Sequence, residues 1–167
     1  MSKKACELLL YNYHHLFDFN VVCLRFFSAY GPNQRPDLVI HKFADLIKKD
    51  EPITISGTNS QRDFTYINDI VDSILLSIQF LSKNCSNPIY EIINIGNSVP
   101  VKITQIAHKL YELYGKTPQL IFNSQHKGDS ISTYADITKA EHLINYIPKY
   151  CILEGLMHFV DWHNQII

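Results

Sequence analysis

The sequence predicts an α/β protein: the last parallel strands of a sheet with flanking helices, joined to a smaller mixed α/β region. Three observations carry this. Helix-period and strand-like stretches alternate along the chain without an internal repeat or low-complexity linker. A helical stretch over residues 3–17 feeds directly into residues 21–27, an apolar run suited to a strand buried on both faces. The strongest amphipathic pattern, Ile70, Val71, Ile74, Leu75 and Ile78, is followed by a second strand-like run at Tyr90–Ile95.

Taken in order, the first helix offers Ala5, Leu8, Leu9 and Leu16 to one or more apolar faces. Gly31-Pro32 breaks the chain after the first strand, and beyond Asp37 the positions Val39, Phe43, Leu46 and Ile47 recur with helical spacing up to Lys48-Lys49. A short strand over 53–55 follows Pro52, residues 64–67 are extended, and Asn68 or Asp69 opens the helix carrying Ile70 to Ile78. Residues 103–114 form a helix stopped by Gly115, and 120–122 a strand. Thr138 with Glu141 makes a capping box for a short helix, and residues 153–162 form a closing helix whose Phe159 and Trp162 belong to the core.

Composition narrows the function classes. A chain of 167 residues suits one domain, large enough to bury roughly two-thirds of its unfolded surface. Basic and acidic residues number 15 and 16 and are scattered, so there is no broad cationic field for nucleic acid or a membrane surface, and an anionic ligand must meet local charges. Cys6, Cys23, Cys85 and Cys151 lie far apart with no C-x-x-C pair, and are expected to be reduced, mostly buried thiols of a cytoplasmic protein. The opening Met-Ser-Lys-Lys does not read as a signal peptide, and no apolar run approaches the ~20 residues of a membrane span. The His14-His15 pair falls on different helix faces without an acid at ligand spacing, and no metal site is expected. No strand-Gly-x-x-Gly-x-x-Gly-helix unit occurs, so these residues carry no pyrophosphate cradle.

Three stretches together resemble the extended short-chain dehydrogenase/reductase family, and within it the nucleotide-sugar 4-epimerases, most closely those acting on UDP-glucuronate. The first is Ser2-Lys3-Lys4-Ala5-Cys6-Glu7, similar to the end of the family's Tyr-x-x-x-Lys motif and its helix. The second is Leu24-Arg25-Phe26-Phe27-Ser28-Ala29-Tyr30-Gly31-Pro32 with Arg35-Pro36-Asp37, and the third is Arg62-Asp63-Phe64-Thr65-Tyr66-Ile67-Asn68-Asp69. Asn94-Ile95-Gly96, Gly128-Asp129 and Tyr134-Ala135-Asp136 are lesser echoes, in the family's order.

The resemblance implies a Rossmann-type fold, with residues 1–35 a remnant of its sheet and 36–167 mainly the nucleotide-sugar-binding region. If Lys3 is the motif lysine, the catalytic tyrosine belongs two positions before Met1, so the chain is expected to be a fragment. Residues at i and i+4 share a helix face, so the lysine lowers the phenol pKa and hydrogen-bonds the cofactor ribose. The resemblance places Lys3, Phe27 and Ser28 on the NAD side. On the substrate side it places Ser28 near the sugar, Arg35 opposite a sugar carboxylate and Arg62 at the diphosphate. For Ser28 a turn role is the competing reading, for Arg35 plain exposure, and for Arg62 an ion pair with Asp63 or another acid. His126 stands where many relatives have arginine or glutamine, and Ser56-Gly57 where they often have an aromatic before the glycine. Asp129 is a candidate ribose acceptor or a turn residue, and Asp69 a helix-start residue.

The implied parent activity is NAD-dependent 4-epimerisation of a UDP-sugar through a 4-keto intermediate, with the chain inactive alone for want of the NAD-binding half. A dehydratase or decarboxylase of the same family, a non-catalytic UDP-sugar-binding module, and a split product needing an amino-terminal half in trans are the alternatives. Association as a homodimer or swapped assembly is expected through the lysine-bearing helix and unpaired strand edges.

Overall fold

A computed structural model of the protein, describing residues 2–84, 88–124 and 130–166, carries thirteen elements. They are α1 (Ser2–Phe17), β1 (Val21–Phe26), β2 (Ser28–Tyr30), α2 (Val39–Lys48), β3 (Ile53–Ser56), β4 (Gln61–Tyr66), α3 (Ile67–Lys83), β5 (Tyr90–Ile95), β6 (Pro100–Lys102), α4 (Ile103–Leu113), β7 (Leu120–Asn123), α5 (Thr138–Ile144) and α6 (Ile152–Gln165). The strands form three small sheets: β1 with β5, β2-β4-β6, and β3 with β7. Every pairing is parallel except β4 with β6.

β1 and β5 align Val21 with Tyr90 through Phe26 with Ile95. Side chains alternate across a strand, so the pair has two faces. On one, Val22, Leu24, Ile93 and Ile95 pack with Ile70, Leu76 and Phe80 of α3 and with Ala140 and Ile144 of α5. On the other, Arg25 and Tyr90 meet α1. The expected burial of β1 on both faces fails there: only Val21 is buried, and Arg25 and Phe26 are exposed.

The same narrowness corrects the reading of α1. Its one buried residue is Glu7, while Leu8, Leu9 and Leu16 are each more than half exposed. A two-stranded sheet is too narrow to cover the helix, so polar contacts hold it. Arg25 Nε and Nη2 donate to Glu7 Oε1 and Oε2, each at 2.7 Å, and Lys4 Nζ reaches Oε2 at 3.0 Å. Tyr90 OH donates to the Glu7 carbonyl at 2.8 Å. The hydrogen bonds from Arg25, and then Lys4, lower the Glu7 carboxyl pKa to about 2.

The larger core joins α2, α4 and α6 to β2, β3 and β4, with Tyr30, Ile40, Ile47, Ile53, Phe64, Leu110, Leu156 and Phe159 inside it. Burying each such side chain contributes about 1.5–3 kcal/mol. Trp162 packs at its margin. The helical period of α2 and α4 matches these contacts, which is why both were legible.

In α3 the period is right and the orientation is not. Ile70, Ser73 and Ser77 face inward, whereas Val71, Ile74, Leu75 and Ile78 are 38–55% exposed. Small serines let the helix lie close; their hydroxyls donate to the Ile70 and Ser73 carbonyls at 2.6 and 2.7 Å. The helix begins at Ile67 with Tyr66 as its N-cap, not at Asn68 or Asp69. The expected capping box at Thr138 is also replaced: Asp136 Oδ1 accepts from the Thr138 N–H at 3.0 Å. Among the described cysteines, Cys6 and Cys151 are exposed and Cys23 is half-buried, against the expectation of mostly buried thiols; Cys85 lies outside the described residues.

Candidate functional site

β4 places alternate side chains on two sides of the middle sheet. Arg62 and Phe64 turn to a cavity of about 470 Å³ whose polar lining is Ser28, Gln34, Asp37, Ser56, Ser60 and Arg62. Ser28 opens β2, two residues beyond the carboxyl end of β1, and pairs in register with Phe64, and Ser56 closes β3. The cavity therefore lies beyond the carboxyl ends of two parallel strands, where α/β folds bind ligands. Leu38, Val39, Phe64 and Ile103 give it an apolar floor.

Arg62 Nη1 donates to the Gln61 and Ser130 carbonyls at 2.7 and 2.8 Å. Among the described residues no acceptor binds its Nε or Nη2, and it forms no ion pair with Asp63. Two guanidinium nitrogens thus remain for an anion. Arg35 stands apart from the cavity wall. Its guanidinium grips Asp37 in a surface fork, Nε to Oδ1 at 2.9 Å and Nη2 to Oδ2. That pairing raises the Arg35 pKa and lowers that of Asp37.

Lys3 is exposed near the start of α1, beside a separate cavity that it lines with Cys6, Glu7, Leu10 and Cys23. Phe27 packs against the core beside α3, and its N–H donates to the Ile95 carbonyl at 2.9 Å. The structure therefore brings Ser28 and Arg62 together and leaves Arg35, Lys3 and Phe27 outside that cavity wall. His126 and Asp129 lie outside the described residues.

Two carboxylates organise the surroundings. Asp63, fully buried, accepts the N–H of Asn97 on Oδ1 at 2.8 Å and those of Ser98 and Ala135 on Oδ2, each at 3.0 Å. Gly96 passes so close that an added Cβ would lie 2.2 Å from Ala135 Cβ and 3.0 Å from Asp63 Oδ2. Sequence reasoning missed this role. The available signal was an aspartate inside an extended run, where a carboxylate needs several donors to be buried. Asp69, in the first turn of α3, accepts the N–H groups of Lys149 and Tyr150 at 3.0 and 3.3 Å; burial raises its pKa. It joins the helix start to the segment leading into α6.

A sequence profile of the NAD dependent epimerase/dehydratase family matches residues 1–96. The chain belongs to that family. A UDP-glucuronate 4-epimerase of Thermodesulfobacterium geofontis is 41% identical over 99% of this chain, and this chain corresponds to 50% of that relative. Among solved structures, the UDP-glucuronic acid 4-epimerase of Bacillus cereus in complex with UDP-glucuronic acid and NAD superposes with a TM-score of 0.86 at 34% identity, over 96% of this chain and 50% of that one. The UDP-glucose 4-epimerase of Thermotoga maritima with UDP-glucose gives 0.87 at 25% identity, over 97% and 52%. The chain thus spans about half the length of the relatives it matches. Its parallel α/β architecture is that of the Rossmann-type epimerase/dehydratase fold. Among the described residues no helix is long and apolar enough to cross a membrane.

Proposed function

We propose that this chain is the sugar-nucleotide-binding part of a UDP-sugar 4-epimerase that takes UDP-glucuronate. The observation that carries the reading is the cavity gathering Ser28, Ser56 and Arg62 at strand ends. The family relationship and the UDP-glucuronate named for its relatives support it.

In this reading the two unspent nitrogens of Arg62 take the diphosphate, a charge-assisted contact of the stronger kind. Ser28 offers its hydroxyl to the sugar. Arg35 meets the glucuronate carboxylate by exchanging Asp37 for it, one carboxylate for another, which suits a bidentate fork. His126 and Asp129 are assigned to the phosphate and ribose. With no aromatic before Gly57, the base is held without a stacking partner there.

Of the residues assigned to NAD, Lys3 has an exposed ammonium and Ser28 borders the cavity, which fits one side of the cofactor. The Phe27 N–H is spent on Ile95, leaving its carbonyl for any contact. NAD, when bound, supplies the hydride acceptor and donor for a 4-keto route. These 167 residues hold no glycine-rich cradle for it, so the chain alone binds substrate without turning it over. Residues 1–35 belong to the cofactor side and 36–167 mainly to the substrate side, an amino-terminal half in trans completes the site, and the location is cytoplasmic, supported by the free thiols of Cys6, Cys23 and Cys151 among the described residues.

Calorimetry without NAD tests this. Saturable heat is expected with UDP-glucose and UDP-glucuronate, with affinity reduced about tenfold or more in Arg62→Ala, from loss of a charged hydrogen bond of about 1.5–3 kcal/mol. No heat with UDP, UDP-glucose or UDP-glucuronate sinks the binding assignment. Epimerisation by the chain alone with NAD sinks the assignment of inactivity.

A further inference from the structure

We propose that His41, Asp45 and His163 form a binding site for a divalent transition metal of the zinc type, which clamps α6 onto α2. His41 and Asp45 stand one turn apart on the same side of α2, and His163 comes from the last turn of α6. His163 Nε2 lies 2.9 Å and His41 Nε2 3.8 Å from Asp45 Oδ1, and the three candidate ligand atoms fall within 4.8 Å of one another.

The outer contacts prepare both rings. His41 Nδ1–H donates to the Gln34 carbonyl at 2.6 Å, and a carbonyl can only accept. The opposite nitrogen, Nε2, is therefore left to face the Asp45 carboxylate. In the neutral ring it presents a lone pair to a second acceptor, a juxtaposition that a cation between them resolves. His163 Nδ1 lies 2.6 Å from Tyr114 OH, which can donate or accept. Without metal, His163 Nε2–H donates to Asp45 and Nδ1 accepts from Tyr114. With metal on Nε2, the ring hydrogen sits on Nδ1 and Tyr114 accepts it. Such a hydrogen bond from the far nitrogen is the usual support of a histidine ligand.

Two of the three ligand pairs need only small adjustment. With bonds of about 2.0–2.2 Å in a tetrahedral site, neighbouring ligand atoms stand about 3.3–3.5 Å apart. The His163–Asp45 pair opens by about half an ångström and the His41–Asp45 pair closes by a similar amount, while the two ring nitrogens, within 4.8 Å of each other, draw together by up to about 1.5 Å. Phe159 and Trp162 pack on the His41 ring, with centroids 5.8 and 5.7 Å away, and fix its plane. His163 is fully buried and His41 nearly so, but the Asp45 side chain is 29% exposed, which gives the ion access and leaves a fourth position for water. Two imidazoles and one carboxylate suit zinc or cobalt over magnesium or calcium.

The chain, stripped with chelator, is titrated with Co²⁺ and then Zn²⁺ by visible absorption and calorimetry. One equivalent should bind, with cobalt bands typical of a tetrahedral site. Asp45→Asn is isosteric and retains a hydrogen bond to His163, so the fold should survive while zinc affinity falls at least about tenfold. His41→Gln should lower it about 100-fold, and Tyr114→Phe about 10-fold, the lower end of the effect of losing an outer partner. Far-UV circular dichroism checks that each variant is folded. Absence of stoichiometric binding, or zinc affinity unchanged in folded Asp45→Asn and His41→Gln, overturns the proposal and leaves surface histidines as the binders.

Discussion

Replacing Asp63 tests the account of the middle of the fold most directly. Its carboxylate is fully buried and takes three backbone N–H groups, one on Oδ1 and two on Oδ2. A hydrogen bond to a charged group contributes about 1.5–3 kcal/mol, and a buried donor left without a partner costs about 1–3 kcal/mol. The three share one acceptor and relax together, so Asp63→Ala should cost about 3–5 kcal/mol, less than their sum. Asp63→Asn can keep the two bonds to Ser98 and Ala135 while its amide NH₂ opposes the Asn97 N–H, so it should cost about 1–3 kcal/mol. Urea unfolding followed by circular dichroism reads this. With a slope of about 2 kcal/mol/M, a 4 kcal/mol loss lowers the midpoint by roughly 2 M. Amide exchange should quicken first at Asn97, Ser98 and Ala135. An alanine variant within about 1 kcal/mol of the parent, or an asparagine variant as damaging as alanine, refutes the reasoning.

Gly155 lies on α6, where alanine ordinarily gains up to about 1 kcal/mol, but a Cβ there would sit 2.0 Å from Tyr30 OH. Gly155→Ala should instead lower stability by about 1–3 kcal/mol, measured by the same urea titration; a gain would show that Tyr30 has room to move. Thr65 Oγ1 is buried with no partner among the described residues, so Thr65→Val, of equal shape, should be neutral or stabilising by up to about 1 kcal/mol in thermal melts. The Glu7 carboxyl is lowered to about 2 in the fold, against about 4.3 in an unfolded chain. Its contribution is therefore complete above about pH 5 and fades as pH falls toward 2. Amide exchange in α1 should accelerate over that range, and Glu7→Gln should remove the acid dependence. Leu9→Lys with Leu16→Lys, on the lysine-bearing helix, should reduce self-association in sedimentation without altering stability by more than about 0.5 kcal/mol, since both side chains are more than half exposed; a parent chain that stays monomeric at high concentration contradicts the expected assembly.

What the sequence made legible follows from what periodicity encodes. Helices α2 and α4 and strand β5 have a pattern that matches the face they bury, and their bounds came close. Pattern alone cannot say which side of α3 is covered, because Ser73 and Ser77 are buried for their size and the apolar stripe is not. β2 and β6, three residues each, exist by virtue of β4 and carry no period of their own. Motif order singled out Ser28 and Arg62, and both line one cavity. It did not find Asp63, whose importance depends on backbone N–H groups more than thirty residues away. Nor did it find His41 and His163, which meet only because α6 folds back over α2.

α1 and α3 lie on opposite faces of the β1–β5 pair and are held there by different forces. α3 is seated by apolar burial against Val22, Leu24, Ile93 and Ile95, whereas α1 hangs on the fork between Arg25 and Glu7. Acid loosens the second attachment and leaves the first intact, so the two faces of one strand pair open independently, α1 as a detachable flap over a sheet that stays packed beneath it.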